Sequence, residues 1–287
     1  MTEFVELSRW RVAFDRVGQG VPVVLVHGGS GRRQWCAPLL SFRSVGGQWW
    51  LVDLPGHGES SATSGHYSLH EMADNLAELL EEVVGQPAVI FGHSHGGQVA
   101  LVLAGAYPQL VRGIIIGDAP LTRAAQEAHL QANQEMLRNW RALAASDADV
   151  DDLVAQLRRL RVRHLVTGQR VVATEVFGDQ HPWYEEMARS LIGHDPDFLD
   201  AVLDRFDDTY RDLVPARLFA CYRGPVLLVQ ADPNAGGLLT DSDIADVLAV
   251  SDQIEVARLH GVGHGLQLQA PQAVAQVIEP FVTRLLC

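Results

Sequence analysis

Two kinds of apolar pattern divide the chain. In the first, short runs that are apolar at nearly every position alternate with stretches of helical length; the runs are residues 21–26, 49–52, 88–91, 111–116, 226–230 and 254–259. Runs this short and this rich in Val, Ile, Leu and Trp predict strands buried on both faces. Residues 10–15 alternate apolar with polar and predict a strand with one face covered. Amphipathic helices lie between them. Ser68 followed by Glu71 makes a capping box, and Leu69, Met72, Ala73, Leu76, Leu79, Leu80 and Val83 then form one stripe. Residues 241–250 and the segment from Pro271 predict two more helices, with Pro280 ending or kinking the second. Strand and helix in alternation imply a mostly parallel sheet.

The second pattern runs from about residue 121 to residue 221, where the chain is polar and helical and has no buried run. We read it as a helical cap, 121–221, inserted into a core made of 1–120 and 222–287. Inside it, Asp147, Asp149, Asp151 and Asp152 open a helix striped by Val150, Leu153, Val154, Leu157 and Leu160, and Arg158, Arg159, Arg161 and Arg163 close it. Acid at the start and base at the end is what a helix dipole favours, so the arginine run takes no site role.

Composition narrows the partners. The 287 residues, 47% hydrophobic and 20% charged, suit one large α/β domain or one carrying an insertion. A net charge of −13 argues against nucleic acid, which needs a clustered basic surface. Cys36, Cys221 and Cys287 are odd in number and widely spaced, so neither a disulfide framework nor a thiolate metal site is expected. The N-terminus has no basic start or apolar signal core, and no run approaches the ~18 apolar residues of a membrane span. The expected setting is the cytoplasm, without a membrane.

Chemistry concentrates at Gly92-His93-Ser94-His95-Gly96-Gly97, between a predicted strand and a helix apolar nearly all round. A turn that tight strains its central residue, and glycine at 92 and 96 lets strand and helix approach. Ser94 then projects at the helix N-terminus, where a nucleophile gains from free N–H groups and the dipole. A serine hydroxyl needs a histidine base. His264, just past the last predicted strand, is the choice, because it lies on the same carboxyl edge of the sheet as Ser94. His93 and His95 are held by the turn itself, and no further ligands join them as a metal site. His27 and His57 line the pocket mouth or satisfy backbone groups. The loop His27-Gly28-Gly29-Ser30-Gly31 can bring the N–H of Gly29 opposite that of His95, and two donors make an oxyanion hole. A dinucleotide fingerprint fails, since glycine is missing at Gln34 and at Leu266. No cofactor and no metal are implied.

His27-Gly28-Gly29, Asp53-Leu54-Pro55-Gly56-His57-Gly58-Glu59-Ser60, the Ser94 turn and Gly261-Val262-Gly263-His264 follow one another in an order that resembles the α/β-hydrolase fold family across nearly the whole chain. The resemblance implies an eight-stranded, mostly parallel sheet with a helical cap after the sixth strand. It also implies hydrolysis of an ester, lactone or similar acyl bond. In most of that family the triad acid follows the seventh strand, about nine residues past its introducing proline, and here that position is Asn234. Asp232 lies two positions early; Asp118 ends the sixth strand, where a minority of members keep the acid. Asp118 is favoured and Asp232 is the alternative. The expected function is a serine hydrolase acting on a small, fairly apolar ester or lactone. A carbon–carbon bond hydrolase or cofactor-free lyase on the same triad, and a catalytically silent small-ligand binder, are the competing readings. A dehalogenase would call for Asp at position 94.

Overall fold

The computed structural model describes residues 1–41, 46–163 and 169–286, so Cys287 lies outside the described residues, as does the Arg163 side chain. Its strands are β1 (Glu3–Glu6), β2 (Arg11–Gln19), β3 (Pro22–Val26), β4 (Gly47–Val52), β5 (Ala88–His93), β6 (Val111–Gly117), β7 (Arg161–Arg163), β8 (Arg170–Val172), β9 (Val226–Ala231) and β10 (Ile254–Leu259). Eight of them form one sheet in the order β1-β2-β4-β3-β5-β6-β9-β10. Strand β2 runs antiparallel to both its neighbours, and from β4 to β10 every pairing is parallel.

Side chains alternate across a strand, so a run that is apolar at every position must be covered twice. Val24, Val26, Ile90, Ile114, Ile116 and Leu228 face the layer built from helices Leu69–Leu79 and His95–Ala106. Their neighbours Val23, Leu25, Val89, Phe91, Ile115 and Val229 face Val274, Ile278, Phe281 and Val282 of helix Pro271–Leu286. The capping box at Ser68 and Glu71 forms as the sequence indicates. Pro280 does not end its helix, which continues to Leu286. Pro280 is exposed, and so is Gln276, whose carbonyl loses its partner to the proline; that carbonyl faces water.

Above the carboxyl edge of the sheet, the described residues of 121–221 fold mainly into helices, the longest being Arg123–Ala144, with a third apolar cluster around Leu153, Leu157, Tyr184, Met187 and Leu191. One helix is shorter than the charge pattern implies: it ends at Arg159, and Arg161 passes into a two-stranded ribbon, β7 with β8. Both strands of the ribbon, three residues each and arginine-bearing, are too short to carry an apolar signature. Helix Pro215–Cys221 packs back on the core, with Leu218 against Gly105 of the helix that follows Ser94. Among the described residues no helix is long and apolar enough to cross a membrane.

Candidate active site

Ser94 sits between β5 and its helix at φ 52° and ψ −121°, in the left-handed region that a non-glycine residue rarely occupies. The crossing is too close for side chains: a Cβ on Gly92 would stand 2.1 Å from the carbonyl oxygen of Gly96, and one on Gly96 would stand 2.4 Å from that of His27. The result is a serine projecting from the start of a buried helix. Its Oγ donates to His264 Nε2 at 3.1 Å, and His264 Nδ1–H donates to Asp118 Oδ2 at 2.7 Å.

Asp118 ends β6 at φ 44° and is fully buried. Besides His264, its carboxylate accepts from the amides of Leu238 at 2.9 Å, Leu239 at 3.1 Å and Ala231 at 3.3 Å. Burial pushes the carboxyl up, but the His264 hydrogen bond and these amides together outweigh it and hold Asp118 below the ordinary carboxylate range. The loop after β9 therefore supplies donors to Asp118 and carries no carboxylate to the imidazole. Asp232, on that loop, accepts from the amides of Asn234 at 2.9 Å and Gly261 at 2.8 Å, and its own amide donates to Val262 at 2.7 Å. It ties the β9 loop to the loop that carries His264. Asn234 lies in the turn Pro233–Ala235.

Gly29 faces the Ser94 turn across van der Waals contact, a Cβ placed on it standing 3.3 Å from His95 Cβ. Among the described residues neither the Gly29 nor the His95 amide donates to a protein acceptor. Gly28's carbonyl accepts from His27 Nδ1–H at 2.8 Å and from the Gly31 amide at 2.9 Å. Across a trans peptide the next N–H points the opposite way, so these bonds also fix the plane that carries the Gly29 amide. His27 Nε2 accepts from the Leu54 amide at 3.0 Å, and both ring nitrogens of His57 lie by carbonyls, Pro55 at 2.8 Å and Gly29 at 3.0 Å. These two histidines serve the backbone.

Three contributors carry no local sequence signal. His93 Nε2–H donates to the His264 carbonyl at 2.8 Å with its ring 4.7 Å from the His264 ring; burial, then His264, pushes its pKa down to about 3, so it is neutral. Arg33, also buried, pairs through its guanidinium with Asp53, Asp15 and Glu59, and its amide donates to Asp53 at 2.6 Å. That cluster pins the end of the Gly28–Gly29 loop to the motif after β4. The Leu238 and Leu239 amides are the third.

The arrangement can accept a proton from a serine and stabilise the resulting imidazolium. Residues 23–277 match the model of the alpha/beta hydrolase family. Over 278 residues the chain is 27% identical to the pimeloyl-[acyl-carrier protein] methyl ester esterase of Xylella fastidiosa (strain M23), covering 93% of this chain and 97% of that one. Over 130 residues it is 35% identical to the dihydrolipoyllysine-residue acetyltransferase component of the acetoin cleaving system of Pseudomonas putida, 44% of this chain but 34% of that protein. Among solved structures, a thermophilic esterase from Thermogutta terrifontis superposes with a TM-score of 0.71 at 20% identity, with all of both chains covered.

Proposed function

The chain belongs to the alpha/beta hydrolase family, and from that premise we propose that it is a cytoplasmic serine hydrolase that cleaves a carboxylic ester or lactone of a small, fairly apolar molecule. Ser94 attacks the acyl carbon while His264 takes its proton. Asp118 holds the imidazole in the Nδ1–H tautomer and stabilises its charge. The amides of Gly29 and His95 receive the oxyanion, which collapses to the acyl-enzyme as His264 passes its proton to the departing alcohol oxygen; water, activated by the same histidine, then releases the acid and frees Ser94. The segment 121–221 covers this site as a cap. The observation that supports the reading best is the continuous hydrogen-bond chain from Ser94 Oγ through His264 to buried Asp118, at 3.1 and 2.7 Å. A net charge of −13 disfavours a polyanionic substrate.

The test is covalent labelling with turnover. A fluorophosphonate adds one adduct at Ser94 in the intact protein and none in Ser94→Ala, and short-chain p-nitrophenyl esters are hydrolysed by the first alone. Labelling retained in Ser94→Ala, or no adduct in the parent chain, sinks the proposal.

A further inference from the structure

Gly29 is held from two sides, and to one of them the cap segment contributes beside the core. On the amino side, His27 and the Gly31 amide fix the Gly28 carbonyl. On the carboxyl side, the Gly29 carbonyl oxygen faces two imidazoles: His57 Nε2 at 3.0 Å and His194 Nε2 at 3.1 Å. The two rings meet edge to face with centroids 4.5 Å apart. His57 comes from the loop after β4, but His194 lies in the cap segment, between helices Trp183–Ile192 and Pro196–Asp204. Phe198 of the second helix packs 4.6 Å from the His57 ring and 5.1 Å from the His95 ring, and its Cζ would stand 3.2 Å from a Cβ on Gly29. One short cap segment thus touches both residues proposed to supply the oxyanion-hole amides.

That segment is firmly seated. Asp195's amide donates to the Gly56 carbonyl at 2.8 Å, its carboxylate accepts from Tyr67 Oη at 2.6 Å, and Gly65's amide donates to Asp197 at 2.7 Å. His194 is buried and has no room to swing. A glycine has the freest backbone torsions of any residue, so a Gly28–Gly29 pair would not keep one N–H direction unaided. Fixing the peptide planes before and after Gly29 removes that freedom.

We infer that His194 is a positioning residue for the oxyanion hole: its Nε2–H donates to the Gly29 carbonyl, so that docking of the cap sets the direction of the Gly29 amide. The inference rests on the serine-hydrolase reading above. Burial, then the adjacent His57, pushes the pKa of His194 down to about 3, so the ring is neutral and has one proton to place. Its Nδ1 lies 3.0 Å from the Asp195 carbonyl, the competing acceptor, which makes the tautomer a direct test.

Three measurements decide the matter. Long-range ¹H–¹⁵N correlation spectra of the intact protein show His194 as the Nε2–H tautomer; an Nδ1–H tautomer overturns the inference. Next, His194→Ala lowers kcat on a p-nitrophenyl ester by about 10- to 100-fold with KM within about 3-fold, because a displaced oxyanion donor weakens the transition state and spares the ground state. His194→Gln, whose amide nitrogen reaches the Nε2 position, loses less than about 5-fold. The affinity for a trifluoromethyl ketone, which forms an oxyanion adduct on serine, falls in step with kcat/KM across these variants. Should His194→Ala fail to fold, His194→Leu refills the volume without a donor and replaces it. An unchanged kcat in the variant lacking a donor, or equal losses in it and His194→Gln, overturns the inference while leaving Ser94 labelling intact. Loss of labelling in the parent chain would instead remove the reading beneath it.

Discussion

Asp118 and Asp232 directly follow the neighbouring strands β6 and β9, yet their carboxylates point to different work. Asp118 accepts from the His264 ring and two leucine amides, whereas Asp232 accepts from backbone alone. Asp118→Asn replaces one carboxylate oxygen with an amide that cannot stabilise imidazolium and that turns a donor towards other donors. We expect kcat to fall by up to about 10⁴-fold. Asp232→Asn keeps one acceptor oxygen and should cost less than about 10-fold, through looser support of the His264 loop. Steady-state rates on one p-nitrophenyl ester compare the two, and equal losses would assign Asp232 to the imidazole. Ser94 and His264 were legible because each sits in a local pattern of glycines beside a strand. The preference for Asp118 came from placement after a strand, and no local pattern marks the amides that hold it. Arg33 and His194 likewise reach the site from places far apart in the chain, and although His93 adjoins Ser94, spacing says nothing of its contact with the His264 carbonyl.

Elements were legible in proportion to their burial. The six apolar runs all form strands, five of them largely buried and β10, at the sheet edge, with Glu255 and Arg258 exposed, whereas β1, with an alternation of half-buried and exposed positions, has no apolar run to announce it. The β7–β8 ribbon is hidden for the same reason, and there Arg161 was assigned to a helix end. Helix Pro271–Leu286 failed in the other direction: a breaker was legible, but the apolar stripe of Val274, Ile278, Phe281 and Val282 spans it and wins. Burying four such side chains outweighs the ~3 kcal/mol that an interior proline costs a helix. Replacing it should therefore recover part of that cost. Pro280→Ala is expected to stabilise by about 1–2 kcal/mol, the helix gain being offset by greater freedom of the unfolded chain. Chemical denaturation measures this directly; a lower midpoint would mean that the proline ring itself packs favourably.

At the scale of the whole molecule, two effects of pH oppose each other. With a net charge of −13 and a sequence pI near 5.3, acidification from neutrality relieves self-repulsion and should stabilise the fold. The histidines act the other way. Burial, ahead of every other cause, pushes His57, His93, His95 and His194 down to about 3 and His27 and His129 down to about 4. In the unfolded chain each titrates near ~6.5. Between that value and about 4 the unfolded state binds protons that the folded state refuses, so stability falls as pH falls. Asp118 does not offset this: its depressed carboxyl contributes above the ordinary carboxylate range and is lost only as pH drops through its lower folded value. Each fully shifted histidine changes stability by about 1.4 kcal/mol per pH unit within its window, and several acting together exceed a surface repulsion that salt screens. The melting temperature should therefore drop steeply from pH ~6.5 to ~4. Calorimetric unfolding near pH 5, repeated in buffers of different ionisation enthalpy, should register the uptake of several protons. A midpoint that holds or rises on approach to pH 5.3 would mean that surface repulsion governs and that these imidazoles take up protons in the folded state. His95→Leu, which removes one buried ring whose Nε2 lies 3.3 Å from Met72 Sδ and which packs on Phe198 and Tyr210, should flatten the slope by about one proton and leave the others in place.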